Sequence, residues 1–300
     1  MSETLDICIC TFRRESLMRT LDSVALQKLP IGTAVRVIVA DNDDTTDARE
    51  AIVARAHVLG LALLYIHAPA RNISIARNAC LDAAQSDWTV FIDDDEVATP
   101  NWIAELLENR GSNQIVFGVS QALYCDPATP KWIVEGDFHS NRIAGNDASW
   151  NGYTANVLID RRFTASRRLR FAVELGQIGG EDTMFFFEAH RLGASFGYAP
   201  NAIVREETPL ARANFRWLAL RRFRAGQVHY MIAKRESRGT RVAAMAAVKS
   251  VVSVLLAGVS LPWQKRAVTN VLRAMLHFGV VASSLGFAPY REYRNPTGSA

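Results

Sequence analysis

Trp88-Thr89-Val90-Phe91-Ile92-Asp93-Asp94-Asp95-Glu96 joins five apolar or β-branched residues to four acids. The first five predict a strand buried on both faces of a parallel sheet. Such a strand delivers carboxylates to its carboxyl end, where open α/β sheets bind their ligands. If the extended conformation continued through the acids, Asp93 and Asp95 would point to one side of the sheet and Asp94 to the other.

Carboxylates this close together repel one another unless a cation or hydrogen-bond donors neutralise them. Oxygen-rich sites suit Mg²⁺ or Mn²⁺ holding a diphosphate. The sequence therefore predicts a divalent-cation and phosphate site after this strand. A solvated acidic turn is the alternative interpretation.

Charge is distributed unevenly over the 300 residues, although the formal net charge is only +4. Residues 1–200 hold 18 Lys and Arg against 26 Asp and Glu, a net of −8, whereas residues 201–300 hold 16 against 4, a net of +12. The acidic part argues against a general nucleic-acid partner, and the basic, apolar part fits an anionic membrane surface. A solvated basic helix pair docked on the acidic body is the alternative.

The four cysteines are Cys8, Cys10, Cys80 and Cys125, and their spacing is not that of a metal site. Cys8 and Cys10 lie two apart in an apolar run, so we expect both on the same buried side of a strand, as core thiols. The first residues show no basic region followed by an apolar core. We therefore expect a reducing, cytosolic compartment.

Strand and helix patterns alternate along the first hundred residues. Strands are predicted at 5–10, 35–40, 61–66 and 88–92, and helices at 16–27, 46–59 and 73–84. This alternation predicts an α/β fold with a mostly parallel central sheet and helices on both faces. Further along we expect a helix to residue 108, a strand at 115–123, a loop-like region at 124–152 with a Gly- and Asn-rich patch at 145–152, and a strand at 152–159.

The sequence contains no Gly-rich phosphate loop of either common type. Phosphate must then be held by the metal and by arginine, whose planar fork binds phosphate oxygens in pairs. The candidates are Arg13, Arg71 with Asn72, and Arg77 with Asn78. A surface salt bridge is the alternative for each arginine.

Asp182 follows Gly179-Gly180-Glu181 and precedes a predicted helix at 183–192. A carboxylate at a helix start near the acidic site can act as a general base for an acceptor hydroxyl. Glu181 would support Asp182 or bind the acceptor. The alternative is that Asp182 is only the N-cap of the helix.

The last hundred residues are basic, aromatic and apolar. Two apolar stretches, 242–259 and 267–287, have nearly the length of a membrane span but carry internal charge, so we expect helices that lie in or dip into the membrane interface. Trp263, in the turn between them, suits the headgroup level. We expect a catalytic domain at 1–205 and a membrane-associated helical region at 206–300. Two ordinary core-packing helices are the alternative.

The motifs, taken in order, resemble the successive signatures of family 2 inverting glycosyltransferases. They are Cys8-Ile9-Cys10-Thr11-Phe12-Arg13-Arg14, Val39-Ala40-Asp41-Asn42-Asp43, Arg71-Asn72 with Ala76-Arg77-Asn78, Phe91-Ile92-Asp93-Asp94-Asp95-Glu96, and Gly180-Glu181-Asp182. The resemblance covers residues 5–205, and within the family it is strongest to bacterial exopolysaccharide glucosyltransferases of the succinoglycan type.

This resemblance implies a GT-A fold, a UDP-sugar donor, glucose as the sugar, and Mn²⁺ or Mg²⁺. Thr11, Arg13 and Asp41 would line the uridine pocket, and Arg71 and Asp93 would contact the nucleotide or ribose. Arg77 and Asp94 would complete the donor site. The metal ligands would be Asp95 with Asp93, and the catalytic residues Asp182 as base with Glu181 beside it.

One departure concerns the Gln-x-x-Arg-Trp motif of processive members, because the corresponding stretch here reads Ala213-Asn214-Phe215-Arg216-Trp217. We therefore expect a single sugar addition, with Arg216 and Trp217 helping to bind diphosphate or acceptor. A lipid-linked saccharide acceptor at the cytoplasmic face of the bacterial inner membrane is expected. A sugar nucleotidyltransferase and a non-catalytic membrane-bound scaffold are the two other functions considered.

Overall fold

The computed structural model describes residues 3–142 and 150–289. The chain divides into two compact units. The first comprises residues 1–123, 140–177 and 181–207, and the second comprises 124–139, 178–180 and 208–300. The expected division into a catalytic domain at 1–205 and a helical region at 206–300 stays a prediction.

The described strands all belong to the first unit. In chain order they are β1 (Glu3–Thr11), β2 (Thr33–Asp41), β3 (Leu63–His67), β4 (Trp88–Ile92), β5 (Glu96–Ala98), β6 (Ile115–Leu123), β7 (Asn156–Asp160) and β8 (Phe196–Glu207). They form one sheet in the order β3-β2-β1-β4-β7-β6-β8-β5. The fold is therefore a mixed α/β type in which the predicted strands appear with boundaries shifted by a few residues.

The described α-helices number ten, and the predicted ones are among them. They are α1 (Leu17–Ala25), α2 (Arg49–Val58), α3 (Ile73–Ala83), α4 (Trp102–Glu108), α5 (Lys131–Gly136), α6 (Arg161–Ser166), α7 (Glu181–Arg191), α8 (Phe215–Arg235), α9 (Gly239–Val259) and α10 (Gln264–Ser284). The region 124–152, expected to be loop-like, thus contains α5. Of the Gly- and Asn-rich patch expected at 145–152, residues 145–149 lie outside the described residues.

The first half of the sheet is parallel, as the alternating pattern predicts. β1 pairs in parallel with β2 and β4, and β2 pairs in parallel with β3. The carboxyl ends of β1, β2 and β4 therefore meet at one edge, where Thr11 stands opposite Asp41. The second half departs from a parallel sheet, because β7 is antiparallel to both β4 and β6, and β5 is antiparallel to β8.

Helices cover both faces of this sheet. On one face α1, α2 and α4 pack on strand residues such as Ile7 and Val90. On the other face α3 and α7 pack on residues such as Phe91 and Phe117. The second face also buries Cys8 and Cys80 with the partly buried Cys10, so the prediction of core thiols for Cys8 and Cys10 is confirmed.

The second unit is helical, with α5, α8, α9 and α10 in the described residues. A small apolar core joins Ile133 of α5 to Leu218 of α8 and Leu272 of α10. Two glycines allow α8 and α10 to approach closely, since a Cβ at Gly226 would lie 1.9 Å from the Leu276 carbonyl oxygen and one at Gly279 would lie 1.9 Å from that of Phe223. By length and composition, α9 could cross a membrane.

Candidate active site

The acidic cluster forms a tight turn between β4 and β5. The Glu96 amide donates to the Asp93 carbonyl at 3.2 Å, and the Asp93 amide donates to the Glu96 carboxylate at 3.1 Å. The expectation that Asp93 and Asp95 continue the strand alternation is therefore wrong, because β4 ends at Ile92. Ser120 of β6 donates to the same Glu96 carboxylate at 2.6 Å, which ties this turn to the neighbouring part of the sheet.

Asp94 and Asp95 of the turn are paired with residues at the end of β1 and just beyond it. Asp94 is buried, and its carboxylate accepts a hydrogen bond from the Thr11 hydroxyl at 2.8 Å. The Arg14 guanidinium pairs with Asp95 and lies 3.6 Å from Asp94. Burial raises the pKa of Asp94 to about 7, aided by Asp95 and Asp93 and opposed by Arg14 and Thr11. Thr11 and Asp94, both expected at the donor site, are thus in direct contact.

Arg77 links the acidic turn to the start of α7. Its guanidinium lies 2.5 Å from the Glu181 carboxylate and 3.8 Å from that of Asp93. The Arg77 and Glu181 side chains are 8% and 9% exposed, so this pair is buried. Burial alone would lower the pKa of Arg77, but Glu181, Asp93 and Asp182 raise it above its ordinary value. Arg77 therefore stays positively charged among carboxylates that need a counter-charge.

Asp182 lies in the first turn of α7, directly after Glu181. The predicted helix at 183–192 is present but begins two residues earlier, at Glu181, so Asp182 lies inside its first turn and the alternative of an N-cap does not describe it. Its carboxylate accepts a hydrogen bond from the Thr183 amide at 2.6 Å. Burial and the neighbouring Glu181 raise the pKa of Asp182 to about 6, although Arg77 opposes this shift. A carboxylate with this pKa can accept a proton near neutral pH.

The two glycines before α7 have a left-handed backbone conformation that favours glycine. Gly179 and Gly180 have φ angles of 85° and 90°, which residues other than glycine rarely adopt. These glycines turn the chain immediately before Glu181 and Asp182. The two acids are thereby held at the start of the helix.

Asp41 marks the end of β2 and is almost completely buried. Its carboxylate accepts hydrogen bonds from the Tyr65 hydroxyl at 2.7 Å and from the Asp43 amide at 3.0 Å. These two contacts orient the Asp41 carboxylate, expected at the uridine pocket, at the same sheet edge as Thr11. Tyr65 was not among the site residues predicted from the sequence.

Arg13 and Arg71 lie in the loops that follow β1 and β3. Arg13 donates to Asp43 at 2.9 and 2.8 Å, and Arg71 donates to Asp44 at 2.8 Å. The alternative of a surface ion pair thus describes both side chains as they stand here. Their φ angles of 54° and 45° are unusual for residues other than glycine. A role for either arginine with phosphate or nucleotide stays a prediction.

Asn72 and Asn78 hold the chain segment that covers Arg77. Asn72 is the N-cap of α3 and also donates to the Val173 carbonyl at 2.9 Å. Asn78 exchanges two hydrogen bonds of 2.9 Å with the Phe171 backbone. The Phe171 ring lies 5.5 Å from the Arg77 guanidinium. Both amides therefore have structural partners where the sequence suggested phosphate ligands.

A cavity of about 220 Å³ lies in the first unit at the sheet edge that carries the acidic turn. Ser120, which binds Glu96, is one of its lining residues, and Asn156, another, pairs with Ile92 immediately before the turn. Asn141, Asn151 and Tyr153 add amide and aromatic surface. Amides that can hydrogen-bond to hydroxyl groups beside an aromatic ring suit a small polar ligand.

The donor set of the turn fits a divalent cation shared with a substrate. Among the described residues, no group of three or more Asp, Glu, His or Cys side chains is arranged to hold a metal by itself. Mg²⁺ in phosphate-transferring sites is often bound by one or two carboxylates and completed by substrate phosphates and water. The carboxylates of Asp93 and Asp95, with side chains 45% and 20% exposed, are oxygen donors of this kind.

Arg216 and Trp217 lie at the start of α8 in the second unit. Asn214 caps this helix by accepting a hydrogen bond from the Trp217 amide at 3.0 Å. The Trp217 ring stacks on His139 with ring centres 5.2 Å apart, and the Arg221 guanidinium lies 5.4 Å from the Trp217 ring. Trp217 is therefore held by its own unit, and the expected contact of Arg216 and Trp217 with substrate stays a prediction.

Besides Tyr65, two side chains that shape the site were not predicted from the sequence. Arg14 pairs with Asp95, and Glu96 holds the turn through the Asp93 amide. Burial, followed by the charge of Asp93, raises the pKa of Glu96 well above its ordinary value. The adjacent Arg13-Arg14 pair was the available signal for Arg14. Nothing in the sequence indicated that Glu96 turns back toward Asp93.

Comparison with known proteins places these features in a wider context. The family model described as "Glycosyl transferase family 2" matches residues 6–163. "Succinoglycan biosynthesis protein ExoM" of Rhizobium meliloti (strain 1021) is 39% identical over 300 residues, which is 97% of each chain.

Two solved structures share the fold at low sequence identity. The mannosyltransferase PcManGT from Pyrobaculum calidifontis, in complex with GDP-Man and Mn²⁺, matches 95% of this chain and 88% of its own, with a TM-score of 0.65 and 16% identity. TarS 1–349 of S. aureus, in complex with UDP, matches 97% and 93%, with a TM-score of 0.54 and 14% identity. A longer TarS chain is covered over 54% of its length. These likenesses show the GT-A type of fold that the motifs implied.

Proposed function

Because the chain belongs to glycosyl transferase family 2, we propose that it transfers one sugar from a UDP-sugar donor to a saccharide acceptor with inversion at the anomeric carbon. The observation that carries this proposal is the arrangement around Arg77. Its guanidinium joins Glu181, which directly precedes Asp182, to Asp93 of the acidic turn. A candidate base and a candidate diphosphate site are thereby linked through one buried cation.

The proposed reaction is one direct displacement. The acceptor oxygen attacks the anomeric carbon while its proton passes to the Asp182 carboxylate, and the bond from that carbon to the diphosphate oxygen breaks with its electron pair leaving on UDP. Attack from the face opposite the leaving group inverts the configuration. Asp182 suits this role because its pKa of about 6 keeps it deprotonated, yet basic, near neutral pH.

The other residues would hold the donor and balance its charge. Thr11, Arg13 and Asp41 would line the uridine pocket at the ends of β1 and β2. Arg71 would contact the nucleotide. Asp94 would support this pocket through its hydrogen bond with Thr11. Glu181 would position the Arg77 guanidinium. Their buried ion pair would also fix the start of α7.

Asp95, together with Asp93, would hold Mn²⁺ or Mg²⁺. A bound divalent cation stabilises negative charge as it develops on a departing diphosphate. Cation dependence is supported by the oxygen donor set of the turn and by the Mn²⁺ in the PcManGT complex. Arg14 pairs with Asp95 in this structure, and it would release that carboxylate when a cation binds there.

The donor and the biological context are proposed on different grounds. UDP as the nucleotide is supported by the UDP complex of TarS, and glucose as the sugar by the resemblance to exopolysaccharide glucosyltransferases. The name of the 39% identical relative supports a step in succinoglycan-type exopolysaccharide biosynthesis. We propose a lipid-linked saccharide as the acceptor and the cytoplasmic face of the bacterial inner membrane as the location. The basic charge of residues 201–300 and the apolar α9 support this location.

Transfer of radiolabel tests the proposal directly. The full-length protein is incubated with labelled UDP-glucose, UDP-GlcNAc or GDP-mannose, Mn²⁺ and a bacterial lipid extract carrying saccharide acceptors. Label that moves from UDP-glucose into the lipid fraction supports the proposal. Label that moves only from GDP-mannose would overturn the choice of nucleotide.

The same assay separates the two other functions considered. A sugar nucleotidyltransferase would move label from a nucleoside triphosphate to a sugar phosphate, and a scaffold would move none. Family membership favours sugar transfer over both. An absence of transfer from every sugar nucleotide, with donor binding also absent by calorimetry, would refute the enzymatic proposal.

A further inference from the structure

The long helix α9 has its polar and apolar faces reversed relative to a helix of a water-soluble domain. The residues that it buries against the second unit are small or hydroxyl-bearing: Gly239, Ala246, Ser250, Ser253 and Ala257. Its exposed residues include eight large apolar ones: Met245, Val248, Val251, Val252, Val254, Leu255, Leu256 and Val259. A helix of a soluble domain normally buries its large apolar side chains and exposes polar ones.

Helical geometry makes this reversal continuous along α9. With 3.6 residues per turn, the buried positions fall on one stripe, and Val248, Val251 and Leu255 fall on the opposite side. The Ser250 hydroxyl donates to the Ala247 carbonyl at 2.7 Å, so this polar group within the buried stripe is satisfied by its own helix. Small residues facing other helices and large apolar residues facing outward are typical of helices in contact with lipid.

The neighbours of α9 exclude an isolated membrane crossing. α10 follows α9 after a short turn and packs along both α9 and α8. Gly226 of α8 lies against the Leu276 backbone of α10, and Gly279 of α10 lies against the Phe223 backbone of α8, so these two helices are closely packed. α8 exposes Lys234 and α10 exposes Arg273, so a crossing that carried these helices into hydrocarbon would bury charge. One side of α9 can contact hydrocarbon without this penalty.

The ends of α9 carry groups that suit an anionic membrane surface. Arg241 is exposed in its first turn. Beyond its last turn, Trp263 is 57% exposed and Arg266 lies 5.7 Å from its ring, with Lys265 adjacent. Trp favours the headgroup level, and basic residues are attracted to anionic lipids. Charge complementarity therefore selects an anionic bilayer as the occupant of this face over a second copy that docks through the same basic region.

We propose that α9 lies in the plane of an anionic bilayer, with its outward aliphatic face in the hydrocarbon and its small-residue stripe on α8 and α10. This inference rests on the membrane association proposed above and adds the helix, the face and the orientation. Lys249, in the middle of α9, lies on the flank of the outward face, where an in-plane helix lets its ammonium group reach the headgroups.

Site-specific fluorescence tests the orientation. Cys125 is the exposed described cysteine, so the Cys125→Ser protein is the background. Val248→Cys and Leu255→Cys place a polarity-sensitive dye on the outward face, where the native side chains are 65% and 64% exposed. Val58→Cys, on α2 of the first unit, is the matched control at 75% exposure. Unchanged melting temperatures show that each variant folds, and the background protein alone must take up no dye.

The variants are mixed with vesicles of phosphatidylcholine and phosphatidylglycerol, or of phosphatidylcholine alone. We expect a blue shift at residues 248 and 255 with the anionic vesicles, and none at residue 58. Quenchers placed at graded depths in the lipid should report equal depths for residues 248 and 255. A crossing helix would separate them by about 10 Å, because each residue rises 1.5 Å along the axis.

Three outcomes would overturn this inference. Co-flotation with vesicles but no dye shift on α9 would leave membrane association standing and remove α9 as the contact. Unequal depths at residues 248 and 255 would favour a crossing helix. A blue shift that appears without vesicles and grows with protein concentration would show that a second copy covers this face.

Discussion

Replacing Asp182 by Asn should abolish most of the turnover and leave the fold intact. The carboxylate accepts a hydrogen bond from the Thr183 amide at 2.6 Å, and the Asn side-chain oxygen can accept the same bond. Asn cannot accept the acceptor's proton. General-base catalysis contributes about 10²- to 10⁴-fold, which corresponds to about 2.7–5.5 kcal/mol of transition-state stabilisation. We therefore expect kcat to fall by that factor.

The pKa of about 6 for Asp182 adds a pH signature. Below pH 6 the carboxylate is protonated, so wild-type turnover should fall about tenfold per pH unit, whereas the residual turnover of Asp182→Asn should not follow this profile. The folded-state pKa lies above the ordinary value of 3.8, so the stability that goes with protonation is present below 3.8 and lost as pH rises through 6. At pH 8 the variant should therefore melt at the same temperature as wild type or higher.

The assay is initial-rate transfer from saturating labelled UDP-sugar, with UDP affinity measured by calorimetry. Glu188→Gln, the same change of carboxylate to amide on α7, is the matched control and should retain turnover within about twofold. A kcat of Asp182→Asn within tenfold of wild type would refute the role of base. A large loss of UDP affinity would instead assign Asp182 to donor binding.

Three further expectations concern the cation site, the buried ion pair and the helix contact. Asp95→Ala should weaken UDP binding in Mn²⁺ at least tenfold by calorimetry without changing the melting temperature; unchanged binding would remove Asp95 from the site. Arg77→Met should lower the free energy of unfolding by about 3–5 kcal/mol in denaturant titrations, because it leaves the Glu181 carboxylate buried without its partner. Arg77→Met with Glu181→Leu should regain much of that stability but not turnover, and a double variant as unstable as the single one would contradict this account. Gly226→Ala should destabilise the protein by about 1–3 kcal/mol because its Cβ would meet the backbone of α10, whereas Gly258→Ala, with open space, should be neutral or stabilising by up to about 1 kcal/mol; equal melting temperatures for the two would contradict the close packing.

Local patterns along the chain predicted most elements of the first unit, but not β5, β8 or α6. The run from Trp88 to Ile92 is β4, and the strands and helices before it alternate as expected. Periodicity and β-branching act over neighbouring residues, so these features can be read without knowledge of the fold. The antiparallel insertion of β7 between β4 and β6 could not be read in this way, because strand order depends on pairing between distant residues.

The candidate site follows the same division. The residue types and their positions after strand ends predicted which carboxylates and arginines to consider. Only the tertiary structure decided their partners. Arg77 pairs with Glu181, more than a hundred residues away, and Arg13 pairs with Asp43 across the ends of two neighbouring strands. An ion pair forms where folding brings two opposite charges close together, and sequence spacing does not contain that distance.

The C-terminal region shows the division most directly. The sequence by itself predicted two apolar helices in a basic segment, at 242–259 and 267–287, and they are found as α9 and α10 with shifted ends, because composition and length suffice for that prediction. It left open whether they cross, lie on or avoid a membrane. The tertiary structure decided which side of each helix is buried: α10 packs along α8 and α9, while α9 turns its small residues inward and its large ones outward. Exposure of a side chain is set by the neighbours that the fold supplies, and hydropathy along the chain cannot report it.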